Sequence, residues 1–213
     1  MKHSGILLVG KKILVILVLV ICTYANDSIM DHSEIKNLKY VKSVMKVYSQ
    51  TLSWKQPTWR NVFKNQSSNA FIMEFIPKDQ ELKTYRDMFT IQGLQGLAQD
   101  KELGPKHIEF SLTNKINKIS PSNVLFKELG NINISGHEGV IFLLGLKKIP
   151  KDITYGLPKG VSEIGLYLVI KGKKDFYILH RSWKREAITK DKLPFAKEEI
   201  QEWIRIFQQV QIN

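Results

Sequence analysis

The sequence predicts an α+β domain, an α/β/α sandwich built on a largely antiparallel sheet of about six strands. Three observations predict it. Four strand-like runs follow one another at residues 124–129, 139–146, 163–170 and 176–183; the second and third are apolar on both alternating sets; and an amphipathic stripe closes the chain. Strands of that kind are covered on both faces. Helical layers are therefore expected above and below the sheet.

The elements follow in chain order. Residues 44–54 alternate Val47, Ser49, Thr51 and Ser53 with Tyr48, Gln50, Leu52 and Trp54, and Pro57 ends the run, so one strand is expected there. Residues 70–76 form a second strand closed by Pro77 after the polar turn 65–69, and the two strands are expected to pair as a hairpin. Leu82, Tyr85 and Phe89 stand at helical spacing and predict a short helix over 81–89, with a brief extended segment at 90–94. Gly104 and Pro105 open a second helix carrying Ile108, Leu112, Ile116 and Ile119 on one face. The two helices are expected to lie together on one side of the sheet. Polar, glycine-bearing connections at 130–136, 148–160 and 171–175 make the four later strands an antiparallel meander. Ala196, Ile200, Trp203, Ile204, Phe207 and Val210 then give the terminal helix, over 194–210, its apolar stripe.

Ahead of all this, residues 1–25 have the order of a secretory signal. Lys2, Lys11 and Lys12 precede the apolar run 13–21, and Thr23 and Ala25 suit a cleavage site. That run is far shorter than the roughly 20 residues a membrane-spanning helix needs. No second such run follows, so the mature chain is expected to hold no transmembrane helix. Cys22, the only cysteine, stands where a lipoprotein cysteine would, but Ile21 before it does not suit lipid attachment. Cleavage after Ala25 leaves a chain without thiols, and with no disulfide its stability must come from its core. Residues 26–37 are polar and read as a flexible mature N-terminus, and 38–213 as a single domain. The expected destination is the periplasm or the medium.

Removing Lys2, Lys11 and Lys12 from the 32 basic residues leaves 29 against 20 acidic ones. So basic a chain suits an anionic partner, although charge says nothing about fold.

The early strand ending in Trp54, with Pro57 and Trp59, the segment 71–77, and the segment 175–183 leading to the helix with Trp203 together resemble the Mog1/PsbP-like domains. The resemblance spans most of the mature chain as an order of elements and a few aromatic positions. It implies the sandwich fold and a binding or accessory role of the kind seen in small exported bacterial proteins of unknown function. It transfers no site residue, and fold alone carries no function.

Motifs of chemistry are sparse. His32, His107, His137 and His180 are widely separated and no His-x-x-x-His pair occurs, so no metal site is expected, and no cofactor either. Gly93 and Gly96 lack the Gly-Lys-Ser/Thr that a phosphate loop needs. Ser135, His137 and Glu138 lie close in sequence, but in what reads as a hairpin turn. His180 reads as a core histidine beneath a helix. A hydrolase assembled from dispersed residues remains the alternative reading, with His137, Glu138 and His180 as its candidates. The basic balance and Trp54, Trp59 and Trp183 could supply charge and stacking to nucleic acid, but no such motif is present and export opposes it.

The leading expectation is an exported, non-enzymatic binding or accessory protein. Its partner is not named by the sequence; another protein or an anionic lipid surface fits the charge. If the last three strands run up, down and up, the connection after residue 146 and the segment after residue 183 emerge at one end of the sheet. That end would gather Lys147, Lys148, Lys151, Lys159, Lys184 and Arg185 as a basic contact surface, with Lys171, Lys173 and Lys174 at the other.

Overall fold

The computed structural model describes residues 40–47, 50–82, 85–150, 160–188, 193 and 195–213. The expected signal segment, Cys22, the N-terminal stretch 26–37, Lys151 and Lys159 lie outside them. In chain order the elements are β1 (Tyr40–Val47), β2 (Gln50–Pro57), β3 (Arg60–Gln66), β4 (Ala70–Ile76), β5 (Asp87–Leu94), α1 (Pro105–Ile119), β6 (Val124–Ile134), β7 (His137–Leu146), β8 (Val161–Lys171), β9 (Phe176–Glu186), α2 (Lys197–Phe207) and β10 (Gln211–Ile212). One sheet has seven strands in the order β3-β4-β5-β9-β8-β7-β6, and a smaller one has three, β1-β2-β10. Every pairing is antiparallel.

Alternation along the strands sorts their side chains onto two faces. On one, Val140, Phe142 and Leu144 of β7 and Val169 of β8 meet Ile108, Leu112 and Ile116 of α1. On the other, Phe89, Ile91, Leu143, Leu166 and Trp183 meet Trp203 and Phe207 of α2 together with Leu52, Trp54 and Ile212 of the small sheet. The antiparallel meander and the two helices stand as expected, and α1 opens on Gly104, whose N–H donates to His107 Nδ1 at 2.9 Å.

Several expectations are corrected. About six strands become seven, and the face under α2 is shared with the small sheet. The single strand at 44–54 is two strands that reverse on each other, Val47 opposite Gln50. The partner of β4 is β3, a polar edge strand. No described residue of 81–89 is helical. Tyr85 packs with Ile76 and Met88 on one face of the sheet, whereas Phe89, already in β5, packs on the other. The apparent helical spacing of 82, 85 and 89 thus joins residues that serve two layers, and α1 stands there without the expected companion. Residues 130–134 belong to β6 rather than to a turn: a bulge between Glu128 and Gly130 lets the strand run on to Ser135–Gly136, where two positive φ angles, 53° and 83°, make a two-residue hairpin turn.

Candidate functional site

The end of the sheet where β7 and β9 finish and β8 begins brings Leu146, Glu163 and Lys184 into register on adjacent strands. Strand direction therefore joins the segments after β7 and β9 as expected, and Ile188 N–H donates to Lys147 O at 2.9 Å. Asn123, just beyond α1, clamps the same segment: its carbonyl accepts from Lys147 N at 2.8 Å, and its side chain bonds both the N–H and the C=O of Lys148. Lys148 is exposed and Lys147 half-buried. Lys118 in the last turn of α1 is exposed as well and adds to the basic residues expected from the sequence.

Two members of the expected basic surface face inward. Lys184 is buried, its Nζ 3.4 Å from the Tyr85 ring centroid and 4.0 Å from Glu163, and burial pushes its pKa down. Arg185 is half-buried and donates to Asp87 Oδ1 at 3.0 Å. The alternation of β9 turns Lys184 toward Glu163 on one face and Arg185 toward Asp87 on the other. Lys184 is closed to a surface, and Arg185 is held by Asp87.

At the opposite end, His137 Nδ1 lies 3.2 Å from the carbonyl of Lys171, and Glu138 is exposed, 4.0 Å from Lys171 Nζ. Lys171 Nζ donates to Leu103 O at 2.5 Å. Ser135 Oγ bonds to Val210 O at 3.2 Å. These contacts brace the β6–β7 turn against the loop before α1, and the serine hydroxyl is directed to a carbonyl rather than to His137. His180 is not brought to this corner; it lies in the middle of β9, opposite Tyr167.

His180 belongs instead to a row of polar side chains on the α1 face. Glu74 of β4 stands opposite Thr90 of β5, Thr90 opposite His180, His180 opposite Tyr167, and Tyr167 opposite Phe142. Glu74 is 4% exposed, Thr90 0% and His180 1%. The imidazole stacks on Tyr167 at 4.7 Å between centroids, and Tyr167 stacks on Phe142 at 5.2 Å. Glu74 Oε1, Thr90 Oγ1 and both ring nitrogens of His180 have no hydrogen-bond partner. Burial pushes His180 down to about 3, so its ring is neutral. Burial, with the Glu163 charge adding, pushes Glu74 up to about 7 against the opposing pull of Lys184. The signal for its companions in the sequence is a polar residue inside each of two apolar strands, Glu74 in β4 and Thr90, with Gln92 beside it, in β5.

The other face holds a buried cation. Arg181 bonds to Asp87 and lies 3.9 Å from Glu199, with its guanidinium carbon 4.9, 4.8 and 5.3 Å from the ring centroids of Trp59, Trp183 and Trp203. Burial acts to raise the Asp87 pKa, but Arg181 and Arg185 more than offset it and hold the carboxyl below its ordinary value. Trp54 and Trp183 are buried and Trp59 is half-buried against Arg181, so these rings pack within the fold. Among the described residues no group of three or more His, Cys, Asp or Glu could hold a metal ion, and no helix is long and apolar enough to cross a membrane.

No family model and no curated protein matches the chain. Among solved structures it is similar to the solution structure of cyanobacterial PsbP (CyanoP) from Synechocystis sp. PCC 6803, with a TM-score of 0.49 and 8% identity over 87% of this chain and 98% of that one. It is also similar to the crystal structure of PA94 from Pseudomonas aeruginosa, a protein of unknown function, with a TM-score of 0.38 and 15% identity over 79% of this chain and 94% of that one.

Proposed function

We propose that this chain is a non-enzymatic binding or accessory protein that acts outside the cytoplasm and engages an anionic surface through the end of the sheet where β7 finishes. The observation that supports it is the Asn123 clamp. It fixes the backbone of Lys147 and Lys148 beside the end of α1, so that Lys148 and Lys118 stand exposed on a held scaffold. The carboxylates Glu163 and Asp87 nearby are engaged by Lys184 and Tyr85 and by Arg181 and Arg185. The exposed Lys118 and Lys148 thus outnumber Glu186, the exposed carboxylate at the end of β9. Attraction between exposed charges is screened beyond about 8–10 Å near physiological ionic strength, so binding should be strong at low salt and weaken steeply with added salt.

The experiment is co-sedimentation of the mature protein with vesicles of phosphatidylglycerol and phosphatidylcholine. A Lys118→Glu, Lys147→Glu, Lys148→Glu variant should lose binding, while a Lys173→Glu, Lys174→Glu variant from the opposite end should keep most of it. Lys171 is left out of the control because it braces the loop before α1. Equal loss in both variants, or no binding by the parent at low salt, would overturn the proposal.

A further inference from the structure

A strand at the margin of a sheet has a neighbour on one side only, and half of its N–H and C=O groups point away from that neighbour. Among the described residues β1 pairs with β2 alone, over eight residues in unbroken register. Residues opposite one another across an antiparallel pair share a face. One face of β1 and β2, with Met45, Val47, Leu52 and Trp54, packs into the core shared with α2. The other carries Lys42, Val44 and Lys46 of β1 and Lys55 of β2, all exposed, Val44 at 62%. We propose that β1 takes up an extended segment of an acidic partner protein as a further strand of the small sheet.

Charge selects that partner. Lys42 stands directly opposite Lys55. Side chains so placed lie about 5 Å apart at Cβ, and like charges there oppose the pairing. The strands of the small sheet hold Lys42, Lys46 and Lys55 and no Asp or Glu. A carboxylate laid beside Lys42 therefore relieves a repulsion that the fold leaves standing. Alternation sets the rest of the pattern. A strand added to β1 turns every second side chain onto the lysine face, so an acid, an aliphatic residue and an acid at alternate positions meet Lys42, Val44 and Lys46 in turn. The positions between them lie beside Val41, 40% exposed at the rim of the core face. A second copy of β1 would meet these lysines with lysines of its own. A lipid headgroup or a nucleic-acid phosphate would leave the outward N–H and C=O groups unused, whereas an added strand draws affinity from them and selectivity from its alternate side chains. The small sheet lies on the α2 side of the large one and α1 on the other, so this surface is separate from that around Asn123 and stands or falls independently of vesicle binding.

The test reads the fluorescence anisotropy of labelled peptides mixed with the mature protein at low salt. Thr-Glu-Thr-Val-Thr-Glu-Thr should bind, and a peptide of the same composition with its two glutamates adjacent should bind about ten-fold more weakly. A strand pairs with one neighbour through alternate residues only. Methylating the backbone nitrogens of the threonines, or instead those of the glutamates and valine, should therefore abolish binding in one case and spare it in the other. The variant Lys42→Glu, Lys46→Glu, changed only at exposed positions, should lose the acidic peptide and gain Thr-Lys-Thr-Val-Thr-Lys-Thr, an exchange that misfolding does not produce. No binding of the acidic peptide by the parent, or no exchange in the variant, would overturn the proposal. So would equal affinity for the rearranged peptide or for the two methylated ones, since charge alone would then make the contact. A parent that sediments as a dimer undisturbed by excess acidic peptide would give the edge to a second copy instead. Loss of vesicle binding in the variant with peptide affinity unchanged would give the lysines to a lipid surface, and either result overturns the proposal.

Discussion

Arg181 of β9 bonds to Asp87 of β5 across the seam at which the two halves of the seven-stranded sheet meet. On one side of that seam lie β3, β4 and β5, consecutive in the chain; on the other lie β6 to β9. Because Arg181 is 3% exposed, its charge depends on Asp87 and Glu199. Removing one partner of a buried pair costs about 3–5 kcal/mol. Asp87→Ala should lower the urea unfolding free energy by about that amount; a loss of a few tenths of a kcal/mol would mean that Glu199 alone suffices.

Trp203 joins α2 to both sheets. Its ring lies 5.6 Å from Phe89, 6.3 Å from Trp59 and 6.4 Å from Tyr40, centroid to centroid. Trp203→Ala removes one of the largest buried side chains and leaves a cavity, at a cost of about 3–5 kcal/mol. Thermal unfolding of the variant checks this, and an unchanged midpoint would mean that α2 does not dock through this residue.

The polar row predicts stability that falls on both sides of a plateau. Glu74, raised from 4.5 to about 7, keeps in the folded state a proton that the unfolded chain releases, so stability declines as pH rises through that window. His180, lowered from 6.5 to about 3, refuses a proton that the unfolded chain takes, so stability declines as pH falls from 6.5 toward 3. The two slopes oppose each other between 4.5 and 6.5. Urea midpoints measured across pH should therefore peak there. Glu74→Gln should gain up to about 3 kcal/mol above neutrality, and His180→Phe should flatten the acid side. A profile unchanged by either substitution would mean that these groups titrate normally in the folded chain.

The sequence made legible whatever a periodicity could carry. The stripe Ile200, Trp203, Phe207 announces α2, and the doubly apolar β7 and β8 announce strands at the middle of a sheet. It hid β3, because an edge strand such as Arg60–Gln66 buries little on either side and shows almost no alternation. It hid the reversal between β1 and β2, because alternation reads smoothly from one strand into the next. The polar row was hidden for another reason: period two assigns Glu74, Thr90 and His180 each to a face of its own strand, but only the register between strands places them in one line. Register follows from turns and long-range pairing, and β5 meets β9 across more than 80 residues of chain. The inward turn of Lys184 and Arg185 was open to the same alternation argument, but their partners Glu163 and Asp87 become visible only after the strands are paired.

The bulges in β3 and β6 have a consequence beyond their own strands. These are the two outer strands of the large sheet, and each breaks step, between Asn61 and Phe63 and between Glu128 and Gly130. Asn61 further spends its side-chain amide on the carbonyls of Phe63 and Glu74. A straight outer ladder is a template on which another chain can grow, whereas a stepped one offers no continuous row of donors and acceptors. The large sheet is thus capped against polymerisation at both margins. Among the described residues the small sheet is not: β1 pairs with β2 over eight residues without a break and exposes Val41 and Val44. Fibre growth in this protein, wherever crowding or heat provokes it, should seed on β1.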